Sequence, residues 1–146
     1  MKTTKELRLE IDAVLNAFSV IKTSREVSLA FTNLQRAKMW LGKVLEAEGR
    51  QTPYPQGDNP ASAVIEPQAE HTAKAVDIPL GMDQTGLVKF FRAEVQRVTD
   101  LYPLTLPDPA TWNARYVQES LLSVQEAKMW LGMELHRIFT LTSAAK

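Results

Sequence analysis

The chain has 146 residues, a formal charge of +0 and a pI near 6.7. No basic stripe of the kind that grips a nucleic-acid polymer is visible, although a small ligand with a few phosphates needs only local cations. Cysteine is absent, which excludes a disulfide framework and thiolate metal sites and suits a reducing cytoplasm. No apolar run nears the roughly 20 residues that cross a bilayer, and the charged start MKTTKELRLEID lacks the apolar stretch of a signal peptide.

The first element opens on a capping box, Thr3 with Glu6. Leu7, Ile11, Val14, Phe18 and Ile21 then recur at steps of four and three, which predicts one helix over residues 4–21. Leu9, Leu15 and Val20 widen the stripe, while Lys5, Arg8, Glu10 and Asp12 fall mostly off it. A second start follows at Thr23 with Glu26. Val27, Phe31, Leu34, Leu41 and Leu45 mark a long helix over 24–48, with Gly49 as its stop. So short a connection forces the two helices to fold back, which makes a helical hairpin.

Residues 49–83 change character, with five of the eight prolines at 53, 55, 60, 67 and 79. Helix is excluded, and the stretch reads as an extended strap. A flexible chain of that length spans about 30 Å, enough to set two hairpins side by side. Its apolar runs AVIEP and AKAVDIPL either form edge strands or lie over the helices.

Leu87, Phe90, Phe91, Val95, Val98 and Leu101 predict a third helix over 85–102, ended by Pro103. Asp108 and Pro109 then make an N-cap and first-turn pair. A last helix follows to about residue 140, striped by Val117, Leu121, Val124, Leu131, Leu135 and Ile138. This helix repeats the second one. QRAKMWLG at 35–42 returns as QEAKMWLG at 125–132, and a weaker match extends over 24–45 and 114–135. The period is ninety residues, so the chain is one unit duplicated. Each hairpin alone is too small to bury an adequate core. The expected fold is therefore all-α: two tandem antiparallel helical hairpins packed with pseudo-twofold symmetry and joined by a Pro-rich extended linker. Its parts are a first hairpin over 1–48, the strap over 49–83 and a second hairpin over 84–146.

The pattern Arg25, Leu29, Ala30, Thr32, Leu34, Gln35, Ala37, then Lys38-Met39-Trp40-Leu41-Gly42, resembles the phage helical-hairpin domain shared by anti-CBASS and Thoeris anti-defence proteins. CBASS is the bacterial cyclic-oligonucleotide-based anti-phage signalling system. The resemblance implies a sponge, which binds an immune second messenger and withholds it without cleaving it. It implies a cyclic dinucleotide, a cyclic trinucleotide or a cyclised ADP-ribose as ligand, held in the cytoplasm of the infected bacterial host. It also implies a homo-oligomer with ligands between subunits; if single hairpins build hexamers, three double hairpins make the same ring. The second copy keeps Arg115, Gln125 and Lys128-Met129-Trp130-Leu131-Gly132, but has Leu122 at the Thr32 position and Tyr116 at the Glu26 position. The second hairpin is then either structural or reads a different part of the ligand.

A cyclic nucleotide needs cations on its phosphates, flat surfaces on its bases and donors on the base edges. The candidate ligand residues are Arg25, Thr32, Gln35, Lys38, Arg115, Tyr116, Gln125 and Lys128. Each has a plainer reading: a surface salt bridge for the arginines, a stem laid over Trp for the lysines, an interface hydrogen bond for the glutamines and a bond back to its own helix for Thr32. Trp40 and Trp130 are read as core or interface before stacking platforms. Tyr116, Tyr102, Tyr54 and Trp112 are the freer aromatics. Gly42 and Gly132, kept in both copies inside helices, imply a close approach to the backbone. No cofactor, metal or catalytic site is expected, because His71 and His136 lack ligand spacing and no phosphate loop or nucleophile elbow occurs. The competing classes are a helical adaptor for a protein partner and an enzyme that degrades the messenger.

Overall fold

The computed structural model describes residues 3–47, 74–105 and 114–144. The fold is all-α. Helix α1 spans Thr4–Ala17 and ends in a 3-10 turn, Phe18–Val20. Helix α2 spans Arg25–Ala47, α3 Gln84–Thr105 and α4 Ala114–Ala144. Among the described residues there is no strand.

The starts of the helices follow from local chemistry. The Thr3 hydroxyl accepts from the Glu6 amide, and the Glu6 carboxylate accepts from the Thr3 amide, which completes the expected box. The second cap is Ser24 rather than Thr23: its Oγ accepts from the Val27 amide at 3.1 Å. A cap serves the amide three positions on, so Ser24 closes the helix that Arg25 begins. Asp83 does the same for α3, accepting from the Gly86 amide at 2.8 Å. It follows a turn in which Gly81 takes φ 78°, a left-handed conformation that glycine adopts without strain.

Pro103 does not end α3, which continues to Thr105. A proline removes one backbone donor, and in a last turn this costs a single bond. Tyr102 and Thr105 on either side are buried and hold the turn down. The last helix runs beyond residue 140, to Ala144. The expected stop at Gly49 and start at Asp108-Pro109 lie outside the described residues, as do Tyr54, His71, Trp112 and the AVIEP run. The strap's final part does lie over the helices: the Val76 amide donates to the Ala13 carbonyl at 3.2 Å, and Ala75, Val76 and Ile78 pack on the core.

Helix α2 packs most extensively against α4; α1 covers α2, α3 covers α4, and α1 meets α3. The four helices thus close a ring around one core. Leu7, Ile11, Leu34, Leu41, Phe91, Val95, Val124 and Leu131 are fully buried there. Phe18 sets its ring edge-on to Phe91 at 4.9 Å and to Phe31 at 5.6 Å. The two repeat helices show the same burial sequence residue for residue over 31–41 and 121–131. The two motifs are therefore packed on each other in a single core, as a pair of hairpins that cannot stand alone requires.

A second correspondence is nearly invisible in the letters. Helices α1 and α3 match with an offset of 84 residues, not 90: Leu7, Ile11, Val14 and Phe18 fall on Phe91, Val95, Val98 and Tyr102, all buried. The six-residue difference between the offsets sits in the longer connection of the second hairpin.

Candidate functional site

The predicted residues divide into three groups: two exposed stripes, a pair of engaged lysines, and Tyr116, which is stacked on Trp40. Arg25, Thr32 and Gln35 are exposed, and with Ser28 and Met39 they recur at steps of three and four along one face of α2. Arg115, Gln118, Leu122, Gln125 and Met129 form the matching exposed stripe on α4. Helical spacing puts each stripe on the side of its helix away from the buried residues.

Lys38 and Lys128 are elsewhere. The Lys38 ammonium donates to the Asp12 carboxylate at 2.7 Å, and both side chains are largely buried. Asp12, expected off the apolar stripe, is buried because this pair fastens α1 to α2. In the second hairpin Lys128 donates to Gln96 at 2.6 Å, at the position that matches Asp12. Both lysines thus pin the helices within their own hairpins.

The paired glycines receive an arginine each, not a helix backbone. A Cβ on Gly42 would meet the Arg8 guanidinium at 3.8 Å, and one on Gly132 the Arg92 guanidinium at 3.6 Å. Arg8 also donates to the Lys38 carbonyl at 3.3 Å, one helical turn before Gly42. Burial pulls the Arg8 guanidinium below its usual range, against the opposing pull of Asp12.

The aromatic residues sit in the α2–α4 seam. Trp40 stacks on Tyr116 with ring centres 5.7 Å apart and planes 23° apart. Trp130 lies beneath the Arg25 guanidinium, 5.6 Å from the ring centre. A stacked aromatic pair contributes about 0.5–1.5 kcal/mol beyond burial; an exposed cation over a ring contributes about 0.5–1 kcal/mol. Tyr102, expected to be free, is buried instead, with its hydroxyl 2.6 Å from the Ser120 hydroxyl. Ser120 donates onward to the Ala37 carbonyl at 2.9 Å, which ties the second hairpin to the first. Burial pushes the Tyr102 phenol well above its usual range, so it stays a protonated structural group.

These contacts also fix the spacing of the two arginines. Arg25 meets Trp130 and Tyr116 meets Trp40, so α2 and α4 run antiparallel. Fifteen residues of α2 separate Arg25 from Trp40, about 22 Å of helix. Arg25 and Arg115 therefore lie at opposite ends of the pair. With Arg25 laid over Trp130, the two arginines do not form one cluster within the chain.

One polar group escaped the sequence reading. Glu134 on α4 is fully buried. It accepts from the Ser24 hydroxyl at 2.9 Å, from Arg137 at 2.8 and 2.9 Å, and from Gln84 at 3.5 Å. Gln84 in turn brackets the Lys22 backbone, and Arg137 reaches Glu26 at 3.6 Å. The Arg137 hydrogen bonds, aided by those from Ser24 and Gln84, hold the Glu134 carboxyl below its usual range despite burial. The only hint in the sequence was that Glu134 replaces Val44 of the first repeat. Among the described residues no group of His, Asp and Glu could hold a metal ion, and no helix is long and apolar enough to cross a membrane. Comparison with protein-family models, with curated proteins and with solved structures returned no match.

Proposed function

We propose that this chain is a phage-encoded, non-enzymatic sponge that sequesters a cyclic nucleotide immune signal in the cytoplasm of the infected host. The observation that carries the reading is the pair of exposed stripes, Arg25-Thr32-Gln35 on α2 and Arg115-Gln125 on α4. They are among the residues through which the sequence resembles the anti-defence hairpin family. Each stripe offers a guanidinium for a phosphate and amide groups for a base edge. Because Arg25 and Arg115 sit at opposite ends of the pair, each stripe takes its own ligand or meets a second copy of the chain around a shared one. Sequestration works by mass action, and nanomolar affinity corresponds to about −12 kcal/mol.

Native mass spectrometry with a mixed panel of cyclic di- and trinucleotides and cyclised ADP-ribose isomers tests this. The expected result is a bound messenger, recovered intact on heating, at one or two per chain in a homo-oligomer. Cleaved product overturns the sponge in favour of an enzyme. A second reading, a helical adaptor for a protein partner, is favoured by the exposed Leu122, Met129, Met133, Phe139 and Leu141 of α4. If no panel member binds or raises the melting temperature, the adaptor stands and the sponge falls; a ligand at 100 times its Kd should add about 2.7 kcal/mol.

A further inference from the structure

Trp40 and Trp130 hold the same place in the two repeats but are covered differently. Tyr116 covers Trp40, and Arg25 covers Trp130. Resting on the sponge reading, we propose that the Trp130 face is a platform for the purine base of a nucleotide phosphate, with Arg25 as its displaceable cover and phosphate partner, while the Trp40 face stays closed.

The two covers differ in how firmly they are held. Tyr116 is a half-buried ring, nearly parallel to Trp40, and it makes a further contact in the fold. A base could enter there only by prising apart a formed stack. Arg25 is exposed, on a long side chain, and among the described residues its one polar or ring contact is with Trp130. Its neighbour Glu26 is engaged by Arg137 at 3.6 Å, so the charge of Arg25 is not taken up there. Base stacking on an aromatic ring outweighs the contact of an exposed cation with that ring. Exchanging Arg25 for a purine is therefore favourable at Trp130. The displaced guanidinium remains tethered beside the base, where it can pair with a phosphate through two parallel hydrogen bonds. Arg115 has no ring of its own to cover, since Trp40 already carries Tyr116.

Tryptophan fluorescence separates the two faces. In a Trp40→Phe/Trp112→Phe chain only Trp130 reports; in a Trp112→Phe/Trp130→Phe chain only Trp40 reports. The probes are 5′-AMP and cyclic di-AMP. The expected result is saturable quenching of Trp130 and none of Trp40. Arg25→Ala, an exposed change whose folding is checked by circular dichroism, should weaken binding about tenfold, the share of one charge-assisted contact, and Lys89→Ala, an exposed change on α3 outside both stripes, should not. Quenching of Trp40 to the same extent, or Arg25→Ala binding as tightly as the unchanged chain, overturns the platform. If cyclic di-AMP binds by mass with Trp130 unquenched, the platform falls and the sponge stands. If 5′-AMP quenches Trp130 but no cyclic nucleotide binds, the platform stands and the sponge falls.

Discussion

The two ends of the α2–α4 pair occupy matching positions and are closed by opposite chemistry. At one end Ser24 and Glu26 of α2 meet Glu134 and Arg137 of α4 in a network of hydrogen bonds and ion pairs. Counting ninety residues along, the matching positions are Ala114, Tyr116, Val44 and Ala47. There the seam is closed by Val44, fully buried, and by Tyr116 on Trp40. All four polar members are replaced together. A buried carboxylate is tolerable only with its full set of donors, so the set is present or absent as a whole. The same substitution by unit recurs nearer the middle. Tyr102 and Ser120 are bonded to each other in the second hairpin, and Phe18 and Ala30 stand at the matching positions in the first.

Making the charged end resemble the apolar one gives the largest expected effect. Glu134→Val alone takes an acceptor from Ser24, Gln84 and Arg137 and should cost about 1–3 kcal/mol in urea unfolding. Arg137→Ala should cost less in the Glu134→Val background than in the native chain, because its main acceptor is already gone. A double variant whose cost equals the sum of its two single changes would show that Glu134 and Arg137 do not act as one unit.

The same carboxylate predicts a pH dependence. Its folded-state pKa lies below the ordinary 4.5, so its contribution is fully present above the unfolded pKa and is lost as pH falls through the folded one. Stability should therefore decline below about pH 4.5 more steeply in the native chain than in Glu134→Val. Parallel acid titrations followed by circular dichroism compare the two, and equal slopes would remove Glu134 from the acid response.

Tyr102→Phe moves the second hairpin toward the first. Ser120 keeps its bond to the Ala37 carbonyl, so the cost should be about 0.5–1.5 kcal/mol. Tyr102→Phe with Ser120→Ala then tests whether the apolar version is as good. A smaller change of opposite sign is expected at the glycines. The added methyl of Gly42→Ala would sit at ordinary contact distance from Arg8, and leaving glycine in a helix interior gains up to about 1 kcal/mol. A fall in melting temperature would show that the Arg8 bond to Lys38 needs the bare backbone.

The hairpins were legible because α2 and α4 are long, striped and share a rare Met-Trp pair. Their boundaries were less so. Thr23 and Ser24 both suit an N-cap, and only the turn geometry chose Ser24. Pro103 argued for a stop because propensity ignores what Tyr102 and Thr105 bury. The kinship of α1 and α3 was hidden: burial constrains Leu7 and Phe91 alike, and it accepts any large apolar side chain. The candidate site was legible as a list of residues but not as a grouping. Arg25, Thr32 and Gln35 share a face by helical spacing alone. That Lys38 is held by Asp12, or that Trp130 lies under Arg25, depends on contacts between residues far apart in the chain.

The covalent joining of the two hairpins has a consequence for how such a molecule can change. In an assembly of two identical single hairpins, every substitution is written at both ends at once. Here the buried acid at position 134 appears once, and its cost in desolvation is incurred once. Fusion has released each end from copying the other, so one can specialise while its twin holds the bundle shut.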